Sequence, residues 1–183
     1  MAKTVLITGS TDGIGKLTAK KVAESGHKLY LHGRNQDKLQ STITELRSLT
    51  RNESIEGFVA DFSSLNAVAE MAGQIKKTIP SMDVLINNAG VYKSTKSTND
   101  QGLDLRIVVN YLAPYKLTME LLSLLKASKA RIINLSSAAQ APVSTAVLSG
   151  QEQLSVHASY AQSKLELPCG VCTSPPPNQS SMS

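Results

Sequence analysis

The sequence predicts an α/β fold built on a doubly wound parallel sheet of five strands, and three observations carry that prediction. Its strand-like runs, such as Val5-Leu6-Ile7 and Val84-Leu85-Ile86, are continuously apolar, as strands buried on both faces are. They alternate along the chain with longer stretches of helical periodicity. Each run ends in a polar or glycine-containing turn, and open parallel sheets bind ligands just beyond the carboxyl ends of their strands.

The first run, from Thr4 to Ile7, leads into Thr8-Gly9-Ser10-Thr11-Asp12-Gly13-Ile14-Gly15, and helix formers follow from Lys16 to Glu24. In this strand-turn-helix setting the glycines at Gly9, Gly13 and Gly15 let a pyrophosphate approach the backbone amides at the helix N-terminus. A glycine triplet alone is a weak signal, so its context carries the weight. Gly26 is placed as a C-cap, and Lys28 to His32 reads as the second strand, ended by Gly33-Arg34-Asn35. Asp37 to Leu49 is helical, with Leu39, Ile43, Leu46 and Leu49 on one face. Ile55 to Ala60 forms the third strand, closed by Asp61, and Ser63-Ser64 begins a helix that Pro80 stops after about Ile79. Asp83 to Asn87 is the fourth strand, with Asn88-Ala89-Gly90 behind it. A polar loop from Lys93 to Gln101 precedes a long helix from about Gly102 to Lys126, in which Pro114 predicts a kink or break. Arg131 to Leu135 is the fifth strand and ends at Ser136-Ser137. Ala138 to Ser159 reads as a loop beside the strand ends, its last part overlapping a helical stretch from Gln151 to Leu167.

Composition narrows the function classes. The 183 residues suit one domain, and 41% hydrophobic with 18% charged content is ordinary for a soluble globular chain. The net charge of +5 is scattered rather than clustered, and with no Trp and 4% aromatics there is little to stack on bases, which argues against nucleic acid as a partner. Met1-Ala2-Lys3 leads straight into the first strand without a signal-peptide pattern, and no apolar run is long enough to span a bilayer. A cytoplasmic protein with no membrane partner is the expectation. Cys169 and Cys172 have C-x-x-C spacing, but no second pair and no histidine partners accompany them, so no metal site is predicted.

The chemistry is read at the strand ends. Arg34 follows the second strand with no acid beside it; a guanidinium there pairs with a 2′-phosphate, whereas an acid would bind a 2′-hydroxyl, so NADP is favoured over NAD. Asp61 is placed either to hold an adenine amino group or to cap the next helix. Tyr160 and Lys164 lie one helical turn apart on the same face, where an ammonium stabilises the phenolate form of its neighbour. Such a phenol is able to exchange a proton with an alcohol or carbonyl, and Ser137 is placed to hydrogen-bond the same oxygen. His157, three residues before Tyr160, reads as a surface residue.

Taken together, Thr8-Gly9-x-x-x-Gly13-x-Gly15, Asp61, Asn87-Asn88-Ala89-Gly90, Asn110, Ser137 and Tyr160-x-x-x-Lys164 resemble the short-chain dehydrogenase/reductase family, in order and from Met1 to about Leu167. The resemblance implies a Rossmann-like fold and hydride transfer between NADP(H) and a small-molecule carbonyl or secondary alcohol. It implies Tyr160 as catalytic acid/base and Ser137 as the group that polarises the substrate. Lys164 would bind the nicotinamide ribose and Asn110 would complete a proton relay through water. Thr8, Gly9, Ser10, Gly13, Ile14, Gly15, Arg34, Asp61, Asn88, Ala89 and Gly90 would line the cofactor cleft together with Tyr160 and Lys164. A homodimer through the long helix and the Tyr160 helix is also implied.

Two departures from the family pattern set further expectations. Ser137 and Tyr160 are separated by a long segment comparable to that of a subset resembling retinol dehydrogenases. After Leu167 the sequence turns to Pro168-Cys169-Gly170 and on to Pro175-Pro176-Pro177, which reads as a Pro/Ser-rich disordered tail over 168–183 in place of the family's sixth and seventh strands. The domain so defined spans 1–167, its fifth strand is an exposed edge, and the nicotinamide half of the cleft lacks a wall. Two functions are compatible with this pattern: an NADP-dependent oxidoreductase, or a non-catalytic nucleotide-binding or interaction module in which Tyr160 and Lys164 are idle.

Overall fold

Strand β1 (Thr4–Ile7) lies at the centre of the sheet because its apolar side chains are wanted on both faces. Val5 and Ile7 join one core and Leu6 joins the other, and none of the three is more than 3% exposed. In this computed structural model, which describes residues 1–170 and side chains through Lys164, the sheet is fully parallel in the order β3-β2-β1-β4-β5. The other strands are β2 (Lys28–Gly33), β3 (Ile55–Val59), β4 (Val84–Asn87) and β5 (Arg131–Asn134). The fold class and the strand positions are those the sequence predicts.

Helices α1 (Gly13–Glu24) and α2 (Gln36–Thr50) cover one face, burying Ala19, Ala23, Leu39, Ile43 and Leu46 against Val5, Ile7, Leu29 and Leu31. Helix α3 (Leu65–Thr78) covers the other, with Val68, Met71 and Ile75 packed among Leu6, Tyr30 and Leu85. Its N-cap is Ser64, whose hydroxyl accepts from the Ala67 amide, and Ile79 turns extended ahead of Pro80.

The long helix expected from Gly102 to Lys126 is instead a broken series: α4 (Leu105–Ile107), a π-helical turn (Val108–Leu112), α5 (Ala113–Glu120) and α6 (Leu122–Ala127). Pro114 brings no N–H to the ladder, and the widened turn before it lets the Ala113 amide reach the Val108 carbonyl. The segment 138–159 contains a short helix, α7 (Thr145–Leu148), and is pinned to the last helix by Ala141 N to Ala161 O and Ser144 N to Gln162 Oε1. That helix, α8 (Val156–Gly170), starts later than Gln151 because the Ser155 hydroxyl and carbonyl take the first free amides, those of Ala158 and Ser159. It runs to Gly170 rather than Leu167, and the remainder of the expected tail, including Cys172, lies outside the described residues, as does the side chain of Cys169. Among the described residues no helix is long and apolar enough to cross a membrane, and no group of His, Cys, Asp and Glu is placed to hold a metal ion.

Candidate nucleotide and catalytic site

A cleft of about 1120 Å³ runs along the carboxyl ends of β1, β2, β3 and β4, lined by Gly9, Gly13, Ile14, Gly15, Arg34, Asp61, Asn88, Ala89 and Gly90 among others. Its floor is the turn after β1. Gly9 takes a left-handed φ of 63°, and a Cβ there would stand 2.7 Å from the Ala89 Cα, so only glycine lets the two strand ends meet. Asn88 ties the turn to β4: its Nδ2 donates to the carbonyls of Thr8 and Gly9, both at 2.8 Å. The Thr8 hydroxyl in turn accepts from the amides of Asn88 and Ala89.

Thr8 and Ser10 are buried and their hydroxyls are spent inside the fold, Thr8 on the Asn88–Ala89 backbone and Ser10 on His32. Their side chains shape the turn and do not line the cleft. Tyr160 and Lys164 are not among the lining residues of this cleft.

On the β2–β3 side of the cleft, Arg34 is exposed just after β2. Asp61 follows β3 and uses Oδ1 to accept the Ser63 amide at 2.9 Å, a local turn that leaves α3 to be capped by Ser64. Asp12 caps α1 through the Gly13 amide and pairs with Lys38 Nζ at 2.6 Å; the Lys38 ammonium holds its carboxyl below the usual carboxylate range. His32, 3% exposed, accepts the Gly9 amide at Nδ1 (3.1 Å), while Nε2 lies 3.0 Å from the Ala60 carbonyl. An amide only donates and a carbonyl only accepts, so the ring is the neutral Nε2–H tautomer. Burial pushes its pKa down to about 4, against the smaller upward pulls of the Ala60 bond and the Asp61 charge.

At the other end, Lys164 is buried and donates from Nζ to the Leu135 carbonyl at 3.1 Å, and desolvation pushes its pKa down. It stands behind Gly90, a residue of the cleft lining: a Cβ there would lie 3.3 Å from Lys164 Nζ and 3.4 Å from Asn110 Oδ1. Tyr160, one turn earlier on α8, places its ring centroid 5.9 Å from Lys164 Nζ and meets Tyr92 edge-on at 5.0 Å. Among the described residues its hydroxyl has no hydrogen-bond partner. Ser137 lies after β5 and accepts the Ala139 amide at 3.2 Å, while Ser136 donates to the Lys164 carbonyl. Asn110, fully buried in the π-helical turn, accepts the Val91 amide at 2.7 Å and donates to the Val91 carbonyl and to Ser163 Oγ. Its side chain is a bracket between the β4 loop and α8. His157 is exposed, as expected.

Sequence reasoning missed His32, Lys38 with Asp12, and Ser163. The histidine sits inside an apolar strand and signals nothing until residues far along the chain are brought to its ring. Asp12 in front of Gly13 did carry a local sign, the residue type that caps helices.

The comparisons with known proteins agree with this geometry. The family model described as short chain dehydrogenase matches residues 3–165. Human retinol dehydrogenase 13 is 37% identical over 169 residues, covering 90% of this chain and 51% of that protein. Human polyprenol dehydrogenase is 35% identical over 173 residues, covering 90% and 52%. The chain therefore spans about half the length of the curated relatives it matches. Among solved structures, a metagenomic short-chain oxidoreductase in complex with NADP superposes with a TM-score of 0.72 at 29% identity, covering 92% of this chain and 73% of that one. A short-chain dehydrogenase from Escherichia coli CFT073 complexed with NADPH gives 0.70 at 26% identity, covering 89% and 66%.

Proposed function

This chain belongs to the short-chain dehydrogenase family, and we propose that it binds NADP(H) across its strand ends and interconverts a carbonyl compound and the corresponding alcohol. The observation that carries the reading is a glycine-floored cleft whose far wall, at Gly90, abuts Lys164 and Asn110, with Tyr160 one turn away. The residues fit a dinucleotide. Cβ atoms at Gly9 and Gly33 would collide with Ala89 and Thr11, whereas one at Gly13, at the start of α1, would meet nothing within 4 Å. That is a bare backbone opening at a helix N-terminus, suited to a pyrophosphate.

Gly9, Gly13, Ile14 and Gly15 would hold the pyrophosphate, Arg34 the 2′-phosphate and Asp61 the adenine amino group. Asn88, Ala89 and Gly90 would line the middle of the cleft, and Lys164 would hold the nicotinamide ribose. Bound NADP(H) would supply the hydride chemistry. The work of the chain is to position and polarise. Tyr160 exchanges the proton of the substrate oxygen, with Lys164 Nζ 5.9 Å from its ring centroid, and Ser137 donates to that same oxygen. Asn110 holds Val91 and Ser163 together and so keeps α8 at its distance from the cleft. The names of the retinol and polyprenol dehydrogenases support an alcohol as the reduced partner. Tyr115 and Met119, exposed on one face of α5, support pairing of two chains through this segment.

The test is a purified sample offered NADPH with a panel of carbonyls and NADP with a panel of alcohols. Turnover is expected, and Tyr160→Phe should lower kcat by at least about a hundredfold while leaving nucleotide affinity unchanged. Nucleotide binding with no turnover of any panel member would leave a non-catalytic binding module in its place.

A further inference from the structure

His32 takes no part in the proton exchange at Tyr160, yet its ring joins the loops that face the adenosine end of the cleft. Nδ1 takes the amide of Gly9, the residue whose left-handed φ makes the glycine turn possible. Nε2–H takes the carbonyl of Ala60, immediately before Asp61, and the ring stacks on Phe62 at 4.2 Å. The His32 backbone adds a second fastening, since its N–H donates to Ser10 Oγ and its carbonyl accepts the Ser10 amide. A core-filling side chain would need only volume. This one spends both ring nitrogens on backbone atoms of two separate cleft walls. Loops held apart at a fixed distance lose little freedom when a ligand enters, and that saving appears as affinity.

We propose that His32 is a positioning residue of the nucleotide site, its neutral imidazole setting the separation between the glycine turn and the Asp61 loop and thereby the affinity for the adenosine and pyrophosphate part of the cofactor. The inference rests on reading the cleft as a nucleotide site. It is independent of whether the ribose carries a 2′-phosphate. The neutral state is required by the geometry: a proton on Nδ1 would face the Gly9 N–H, donor against donor. Asp61 is the charged group that acts on the ring from the β3 side, the Gly9–Ser10 turn brings none, and Asp12, Arg34 and Lys38 line the cleft farther out.

Three substitutions separate positioning from filling. In His32→Asn the side-chain oxygen replaces the Nδ1 acceptor; in His32→Gln the amide nitrogen replaces the Nε2 donor; His32→Leu keeps the volume and neither bond. Titration calorimetry with NADPH and with NADH should show His32→Leu weakened by about tenfold or more, and the Asn and Gln variants each recovering part of that loss. Binding by His32→Leu as tight as by the native chain, or Asn and Gln variants no better than Leu, would overturn the inference alone. Should the variants fail to fold, histidine NMR on the native chain decides. The inference expects an Nε2–H imidazole that stays neutral through pH 5 and whose Nδ1 resonance moves when NADPH is added. A ring that protonates near the ordinary histidine value, or is indifferent to nucleotide, overturns it. A native chain that binds NADH but not NADPH removes the 2′-phosphate assignment and leaves His32 in place. One that binds neither removes the nucleotide reading and this inference together.

Discussion

The two ends of the cleft are built from different kinds of bond. Around the glycine turn, β2 is paired on both sides, to β1 and to β3, and is buried from Leu29 to Gly33. Beyond Gly90, β5 is paired, among the described residues, only to β4, and Ile133 is 39% exposed. Around α8, apart from the backbone bond of Ala141 to Ala161, the fastenings among the described residues are single side-chain bonds such as Lys164 to Leu135, Ser136 to the Lys164 carbonyl, and Asn110 to Val91 and Ser163. Ladder bonds support one another, whereas a single side chain has no substitute when removed. The glycine-turn end should therefore survive damage that undoes the α8 end.

The sharpest way to break that contrast is Asn110→Ala. It deletes three bonds at once and leaves the amide and carbonyl of Val91 without their partner inside the protein. At about 1–3 kcal/mol for each stranded group, a loss near ~4 kcal/mol is expected in chemical denaturation. Hydrogen exchange should locate it: amides of α8 should open sooner, and those of β1 and β2 should keep their protection. Equal acceleration across the whole sheet would show that the two ends are one cooperative unit.

A slightly smaller effect should come from acid, and it reports on the other end. The folded His32 has a pKa of about 4, below the ordinary 6.5 of an unfolded chain. Between those values the unfolded state takes up a proton that the folded state refuses, so stability falls as the pH drops from 6.5 towards 4 and is unaffected by this group above that range. The full window corresponds to about 3 kcal/mol. Denaturation midpoints across that range in the native chain should follow this slope, and His32→Gln should flatten it. A native profile that is already flat would mean that the ring is free to protonate in place.

How much of this was legible depended on how local the cause was. Most strands declared themselves as short apolar runs such as Val84-Leu85-Ile86, while β3, with Glu56 and Gly57 inside it, was marked by its place between two helical stretches. The glycine turn was equally plain, since Gly9, Gly13 and Gly15 stand between a strand and a helix. The wide turn at Asn110 was only half visible. Pro114 announces a break, but not that it falls as a π-helical turn ahead of the proline. The orientation of Thr8 and Ser10 was hidden, because it depends on the backbone twist at Gly9 and on partners many residues away. The role of His32 was hidden for the same reason: 23 residues separate it from Gly9 and 28 from Ala60.

The smallest expected effect concerns the ion pair between Asp12 and Lys38, which spans the outer rim of the cleft at 2.6 Å. Its side chains are 83% and 50% exposed, so water screens the charges, and most of what the contact gains is returned as side-chain freedom when it breaks. Lys38→Met should leave the melting temperature within experimental scatter at both low and high salt, because Asp12 keeps its cap on the Gly13 amide. The bonds between Gly9, His32 and Ala60 lie deeper, and they are the ones expected to hold this end together. A drop of several degrees in Lys38→Met would move the anchor of the glycine-turn end out to the surface and undo the contrast from its stronger side.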